Sequence, residues 1–264
     1  MRTGRRAAVI ATGFMGDTIA GTAAATSLHQ EGFRVTLFTR WPQIASILRN
    51  DDRFETVVYG RFVPRRIRRP LYPGRFDLVV REPFPWSYRE PFTSEIRRRA
   101  GTAPEPGYEL FLSDRQRKLG RMSSDRPLVS ISRDIHKRAF GRDVDRLVTM
   151  IEKIAEIRWV GLDPKLHSKH GRRRSIEHDA SIIHNSDVFL GPEGGMLWLA
   201  AGIGTNCMYL TENIARLEAE HPTIWQCLGS RCHFPDAGHT ALPPGCSNER
   251  VVEELSARVA GSSG

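Results

Sequence analysis

Residues 13–22 read Gly13-Phe14-Met15-Gly16-Asp17-Thr18-Ile19-Ala20-Gly21-Thr22, directly after the apolar run Ala7-Ala8-Val9-Ile10-Ala11. An apolar run of that length bounded by glycine reads as a buried strand. Two glycines permit a tight turn out of it. Spacing then predicts a helix over 18–30, with Ile19, Ala23, Ala24 and Leu28 on one face and Glu31-Gly32 as its stop. Asp17 therefore stands where a helix begins. A carboxylate there suits the positive end of the helix dipole, so Asp17 fits a cap; it equally fits a base at the edge of a cleft.

The same strand-to-helix alternation continues outward. Strands are expected at 34–39, 56–59 and 76–80, and helices at 42–49 and 93–100. Residues 101–126 contain Pro104, Pro106 and Gly107 and read as a hinge region. A second alternation follows: strands at 128–132, 158–161, 188–190 and 206–210, with helices at 143–155, 176–185, 195–201 and 249–259. Two blocks of strand and helix predict two doubly wound α/β units, residues 1–122 and 123–264. In such units ligands sit beyond the carboxyl ends of the strands, and two facing units place them in the cleft between.

The composition suits a soluble chain of 264 residues, 40% hydrophobic and 26% charged. No apolar run approaches the ~20 residues of a membrane span. The basic N-terminus lacks a leader's uninterrupted apolar segment, so a cytoplasmic location is expected. The formal net charge is +9, with clusters at Arg65-Arg66, Arg68-Arg69, Arg97-Arg98-Arg99 and Arg172-Arg173-Arg174. Such a surface attracts phosphates in a nucleotide, a nucleic acid or an anionic lipid, and it also fits a solvated basic face. Cys207 lies in an apolar run and reads as core. Cys227, Cys232 and Cys246, with His233 and His239 among them, allow a three-Cys, one-His metal site in an irregular spacing.

Two further stretches suit anion chemistry. Leu190-Gly191-Pro192-Glu193-Gly194-Gly195-Met196 joins a strand to a helix through glycines. The amides of Gly194, Gly195 and Met196 would then point at a phosphate, and Glu193 could accept from a sugar hydroxyl. The stretch Arg133-Asp134-Ile135-His136-Lys137-Arg138 brings cations to the end of a strand, where Lys137 and Arg138 suit a diphosphate.

Taken in order, these stretches resemble family 9 of the glycosyltransferases, the heptosyltransferase-like group with the GT-B fold. Gly16-Asp17 stands where that family has Gly-Asp before its first helix. Ile47-Leu48-Arg49-Asn50-Asp51 running into Phe54-Glu55-Thr56-Val57-Val58, and the strand Phe76-Asp77-Leu78-Val79-Val80, follow the family's order. Arg138-Ala139-Phe140-Gly141 occupies the place of a lysine before Trp-Pro. Glu193-Gly194-Gly195-Met196-Leu197-Trp198-Leu199-Ala200-Ala201 occupies the donor loop, with Glu193 for the family's aspartate and Trp198 for its histidine. Cysteines before the last helix recur in many members.

The resemblance implies two facing Rossmann-like domains: acceptor-binding in residues 1–122, nucleotide-sugar-binding in 123–264. It implies a sugar moved from a nucleoside diphosphate to an acceptor hydroxyl with inversion, Asp17 acting as general base. Donor-binding candidates are Lys137, Arg138, Asp163, Glu193, Gly194, Gly195 and Met196; acceptor-binding candidates are Gly16, Arg65, Arg66, Trp86 and Tyr88. No cofactor beyond the nucleotide-sugar co-substrate is implied, and no metal. The partner expected besides the donor is an anionic glycan, a lipid-linked acceptor with peripheral membrane contact, or a nucleic acid. A nucleotide-sugar 2-epimerase and a basic nucleic-acid-binding protein without catalysis remain alternatives.

Overall fold

A computed structural model of the chain describes residues 4–58, 76–81, 92–104, 108–120, 124–136, 141–161, 175–211, 239–243 and 245–261. The first half forms β1 (Arg6–Ile10), α1 (Met15–Gln30), β2 (Arg34–Thr39), α2 (Pro42–Leu48), β3 (Phe54–Val58), β4 (Leu78–Arg81), α3 (Phe92–Arg99) and α4 (Asp114–Lys118). The second half forms β5 (Leu128–Ser132), a 3-10 turn (Arg133–His136), α5 (Val144–Ile151), β6 (Glu156–Val160), α6 (Ile176–His184) and β7 (Val188–Pro192). It closes with α7 (Gly195–Ile203), β8 (Cys207–Leu210), β9 (Thr240–Leu242) and α8 (Asn248–Gly261).

Two sheets result, both parallel throughout: β3-β2-β1-β4 in a front lobe and β6-β5-β7-β8-β9 in a rear lobe. Each reverses its strand order once, between β1 and β4 in front and between β5 and β7 behind. Parallel sheets are covered on both faces, which is why β1 and β7 read as apolar runs without alternation. The two reversals are built alike. Asp77, ahead of β4, accepts the amide of Arg6 at 2.6 Å and donates its own N–H to the Arg6 carbonyl at 2.8 Å. Asp187, ahead of β7, repeats this on Leu128, at 2.8 and 2.9 Å. A carboxylate thus starts each central strand pair in register.

The lobes meet helix on helix, α1 against α7 and α2 against α6. One apolar core runs from β1 and β2 through Ile19, Leu28 and Ile44 into Ile183, Leu197 and Leu199 of the rear helices. A second lies on the far face of the rear sheet, where Val251, Leu255 and Val259 of α8 pack with Leu147 and Ile151 of α5. Several bounds differ from the sequence expectation. Helix α1 begins at Met15, three residues before the expected start, which draws Asp17 into the helix. Strand β7 extends through Pro192. The expected hinge contains α4, started by Ser113, whose Oγ accepts the amide of Gln116 while Gln116 Oε1 accepts the amide of Ser113 at 2.9 Å. From α4, Gln116 Nε2 donates to the carbonyl of Ile47 at 3.1 Å, tying this segment to the end of α2.

Candidate active site at the junction of two turns

The front turn is held from three sides. Thr18 Oγ1 donates to the carbonyl of Ala11 at 2.9 Å and lies 3.2 Å from Thr39 Oγ1, binding the start of α1 to the ends of β1 and β2. Trp41 Nε1 donates to the carbonyl of Gly13 at 2.9 Å. Asp17, in the first turn of α1, accepts the Phe14 amide on Oδ2 at 2.5 Å. Its carboxyl is half-buried, and burial raises it above the ordinary aspartate range; the Phe14 N–H and the Arg40 guanidinium partly oppose that rise. Asp17 therefore caps the helix and is also a carboxylate of increased basicity, so the two sequence readings coexist in one side chain. Phe14 beside it is 72% exposed, the most open large apolar side chain among the described residues.

The rear turn is built from β7 and α7. Gly191 lies tight against β5: a Cβ there would stand 2.8 Å from Ser132 Cβ and 2.9 Å from Phe189 Cζ. Gly194 is the cap residue of α7, and its first turn carries no acidic side chain. Glu193 is anchored at both ends of its residue. Its amide donates to the Leu210 carbonyl at 3.1 Å and its Oε2 accepts from Thr211 Oγ1 at 2.9 Å. Burial, then the nearby Glu193 and Cys207, pushes the Tyr209 hydroxyl above the usual tyrosine range.

The two turns touch. A Cβ on Gly16 would fall 2.8 Å from Trp198 Cδ1, and one on Gly195 would fall 2.4 Å from Met15 Cε. The carboxyl ends of β1 and β7 thus converge on one junction, where the first turn of α1, which carries Asp17, packs against the first turn of α7, which opens with Gly195 and Met196. Of the sequence candidates, Gly16, Asp17, Glu193, Gly194, Gly195 and Met196 gather here. Lys137, Arg138, Asp163, Arg65, Arg66, Trp86 and Tyr88 lie outside the described residues, as do Cys227, Cys232 and His233. The 3-10 turn after β5 does begin the cationic stretch at a strand's carboxyl end, with His136 stacked on Trp159 at 5.4 Å and the Arg133 guanidinium 5.8 Å from the same ring.

Three residues at the junction escaped sequence reading: Arg40, Trp41 and Thr211. Each follows the carboxyl end of a strand hydrogen-bonded to the strand that carries a turn, β2 beside β1 and β8 beside β7. That register was the available signal. His239, considered as a metal ligand, is buried, with Nδ1 accepting the Cys207 amide at 3.0 Å. Among the described residues no group of three metal-ligating side chains occurs, and no helix is long and apolar enough to cross a membrane.

Two facing parallel sheets whose central turns meet define the class: an α/β protein of the GT-B arrangement. No protein-family model and no curated protein sequence matches the chain. Solved structures match in fold. A glycosyl transferase of family 9 from Veillonella parvula aligns over 97% of this chain and 97% of its own, with a TM-score of 0.68 and 8% identity. The E. coli heptosyltransferase WaaC, solved with ADP, aligns over 96% of this chain and 99% of its own, at 0.63 and 10% identity. The E. coli ADP-heptose lipopolysaccharide heptosyltransferase II aligns over 98% and 100%, at 0.60 and 12% identity. The fold is therefore that of the family-9 glycosyltransferase structures, as the order of motifs in the sequence led us to expect.

Proposed function

We propose that the protein is a glycosyltransferase that moves a sugar from a nucleoside diphosphate to an acceptor hydroxyl, with Asp17 as general base. One observation carries the reading. A half-buried carboxylate of raised basicity stands at the point where the α1 turn meets a glycine-rich helix start that brings no acid of its own. Helix-start amides favour a diphosphate. A hydroxyl attacks only as its proton is removed in the transition state, which a carboxylate at this point can do. The likeness in fold to heptosyltransferases, one of them solved with ADP, supports the same assignment.

In this reading the diphosphate rests on the amides of Gly194, Gly195 and Met196, with Arg138 and Lys137 as counter-charges. Glu193, oriented by Thr211, accepts from a hydroxyl of the donor. The acceptor oxygen attacks the anomeric carbon from the face opposite the diphosphate. The new C–O bond forms as the bond to the phosphate oxygen breaks, the acceptor proton passes to Oδ1 of Asp17, and the nucleoside diphosphate leaves carrying the electron pair. Attack from the opposite face inverts the anomeric centre. Fixed cations and amides stabilise the growing charge on the leaving group. In this reading the reaction needs no metal, and transfer should persist in EDTA. The front lobe, residues 1–122, takes the acceptor, and the rear lobe, residues 123–264, takes the donor.

The test begins with thermal shifts against UDP, GDP, ADP, CMP and dTDP sugars, since a ligand of the native state raises its melting temperature. With the donor found, Asp17→Asn should retain the shift and lose transfer. Undiminished transfer by Asp17→Asn removes Asp17 as the base. Binding to nucleic acid with no shift by any nucleotide sugar removes the enzyme reading altogether.

A further inference from the structure

The junction of the turns is interlocked, and the part that fits Gly16 is an indole. Trp198, on the first turns of α7, is stacked by Tyr108 at 5.2 Å between centroids and met edge-on by Phe92 at 6.5 Å. The Tyr108 hydroxyl donates to the Trp198 carbonyl at 2.6 Å, and burial holds that hydroxyl well above the usual tyrosine range. Leu110, two residues on, donates its amide to the Gly202 carbonyl at 2.7 Å, so the strap 108–110 runs along α7 and fixes the ring from behind. The Cδ1–Nε1 edge of the indole lies against Gly16, where even one added carbon would sit 2.8 Å from Cδ1. On the other side of the same contact, Met15 fills the space above Gly195. Aromatic pairs at these separations are attractive beyond their burial, so the ring has one preferred seat.

We propose that Trp198 is a positioning residue: through its contact with Gly16 it sets where the Asp17 turn stands against the start of α7. This rests on the reading of Asp17 as the base, and it adds that base and donor cradle belong to one packed unit and keep a constant separation. Gly16 and Asp17 are consecutive, so any displacement of the Gly16 backbone carries the carboxylate with it. A loss of the indole leaves a space beside the front turn that solvent or a shifted α1 can enter. Asp17 then loses part of the burial that raises its carboxyl, while the Phe14 amide and Arg40 remain as its near partners.

The test uses the full chain and no substrate, so it stands apart from any failure of the glycosyl-transfer reading. Two measurements are needed. The first is a thermal double-mutant cycle of Gly16→Ala and Trp198→Ala, which isolates the coupling of the pair. Overpacking should lower the melting temperature of Gly16→Ala by roughly 2–10 °C in the native background, and by clearly less when Trp198→Ala is also present. A Gly16→Ala chain that folds only in the Trp198→Ala background is the same result in stronger form. The second is a carboxyl-carbon NMR titration of Asp17, assigned by the resonance that Asp17→Asn removes. Its midpoint should fall toward the ordinary aspartate value in Trp198→Ala and stay in place in Trp198→Phe. It should also stay in place in Leu110→Ala, which weakens the strap without touching Gly16. Additive effects in the cycle, or a Gly16→Ala chain that fails to fold in both backgrounds, would overturn the proposal. So would an Asp17 midpoint that Trp198→Ala leaves alone, or that Leu110→Ala moves as far.

Discussion

The β1–α1 and β7–α7 turns leave buried parallel strands through glycines and start helices that touch, yet they treat their helix starts in opposite ways. The front helix brings its own anion: Asp17 accepts the Phe14 amide from within the first turn. The rear helix is capped by Gly194 with no acid in its first turn, and the carboxylate of the residue before, Glu193, is held on Thr211. A helix start that brings no carboxylate has amides to offer an incoming phosphate. One that carries its carboxylate half-buried has a base to offer instead. A common strand-turn-helix unit thus presents either a carboxylate or backbone amides at its helix start, according to where a single carboxylate is placed.

The largest effect is expected from Asp17→Asn. Transfer should fall by ~10²–10⁴-fold, the range for loss of a general base, while the carboxamide that replaces the carboxylate keeps an oxygen for the Phe14 N–H. Stability should not fall with it. The Asp17 carboxyl is higher in the folded chain than in the unfolded one, so folding favours its protonated form, and that contribution is lost as pH rises through the raised value. At neutral pH Asp17 therefore costs stability, and Asp17→Asn should melt at the same temperature or higher. If Asp17 is the base proposed, transfer by the native chain should fall on the acid side as the pH drops through the same raised value.

The next effect belongs to the rear lobe alone. Burial, and then Arg258, lowers His239 to about 4, with Nδ1 committed to the Cys207 amide. The unfolded imidazole binds a proton near pH 6.5 and the folded one does not. Stability is thus complete above that pH and declines as pH falls toward 4, by up to about 3 kcal/mol. Denaturant melts across that window should show the slope, and His239→Gln should flatten it.

Gly191→Ala adds a carbon against Ser132 and the Phe189 ring. It should cost about 1–3 kcal/mol, read as a lower denaturation midpoint, because the carboxyl end of β7 cannot move from β5 without breaking the strand pair. The smallest expected change is at Glu193. Glu193→Gln keeps an oxygen for Thr211 and removes the charge, weakening donor binding by about tenfold, the usual worth of one charge-assisted hydrogen bond. A Glu193→Gln chain that binds nucleotide sugar normally would confine Glu193 to bracing β8.

The sequence showed most of the skeleton. Strands 34–39 and 128–132 emerge with the bounds expected, because β-branched and aromatic runs closed by polar residues are local signals. What it hid was tertiary. Strand β9 has three residues and exists only because β8 offers an edge to pair with. Helix α4 lies in a polar stretch whose only mark is Ser113 three residues before Gln116. At the site, Gly16, Asp17, Glu193 and the glycines after it stood out because turns need glycine and helix starts favour carboxylates. Trp198 registered only as a departure from a family pattern. Its partners, Tyr108 and Gly16, are ninety and more positions away, and nothing in local spacing brings them together.

In the proposed mechanism the amides opening α7 hold the donor's diphosphate across from Asp17. Backbone amide NMR with a nucleoside diphosphate from the UDP, GDP, ADP and dTDP series tests it most directly. The nucleotide that binds should move the amides of Gly194, Gly195 and Met196 most, with the same pattern in Asp17→Asn. Saturable binding that leaves those three amides in place and shifts resonances elsewhere would contradict it.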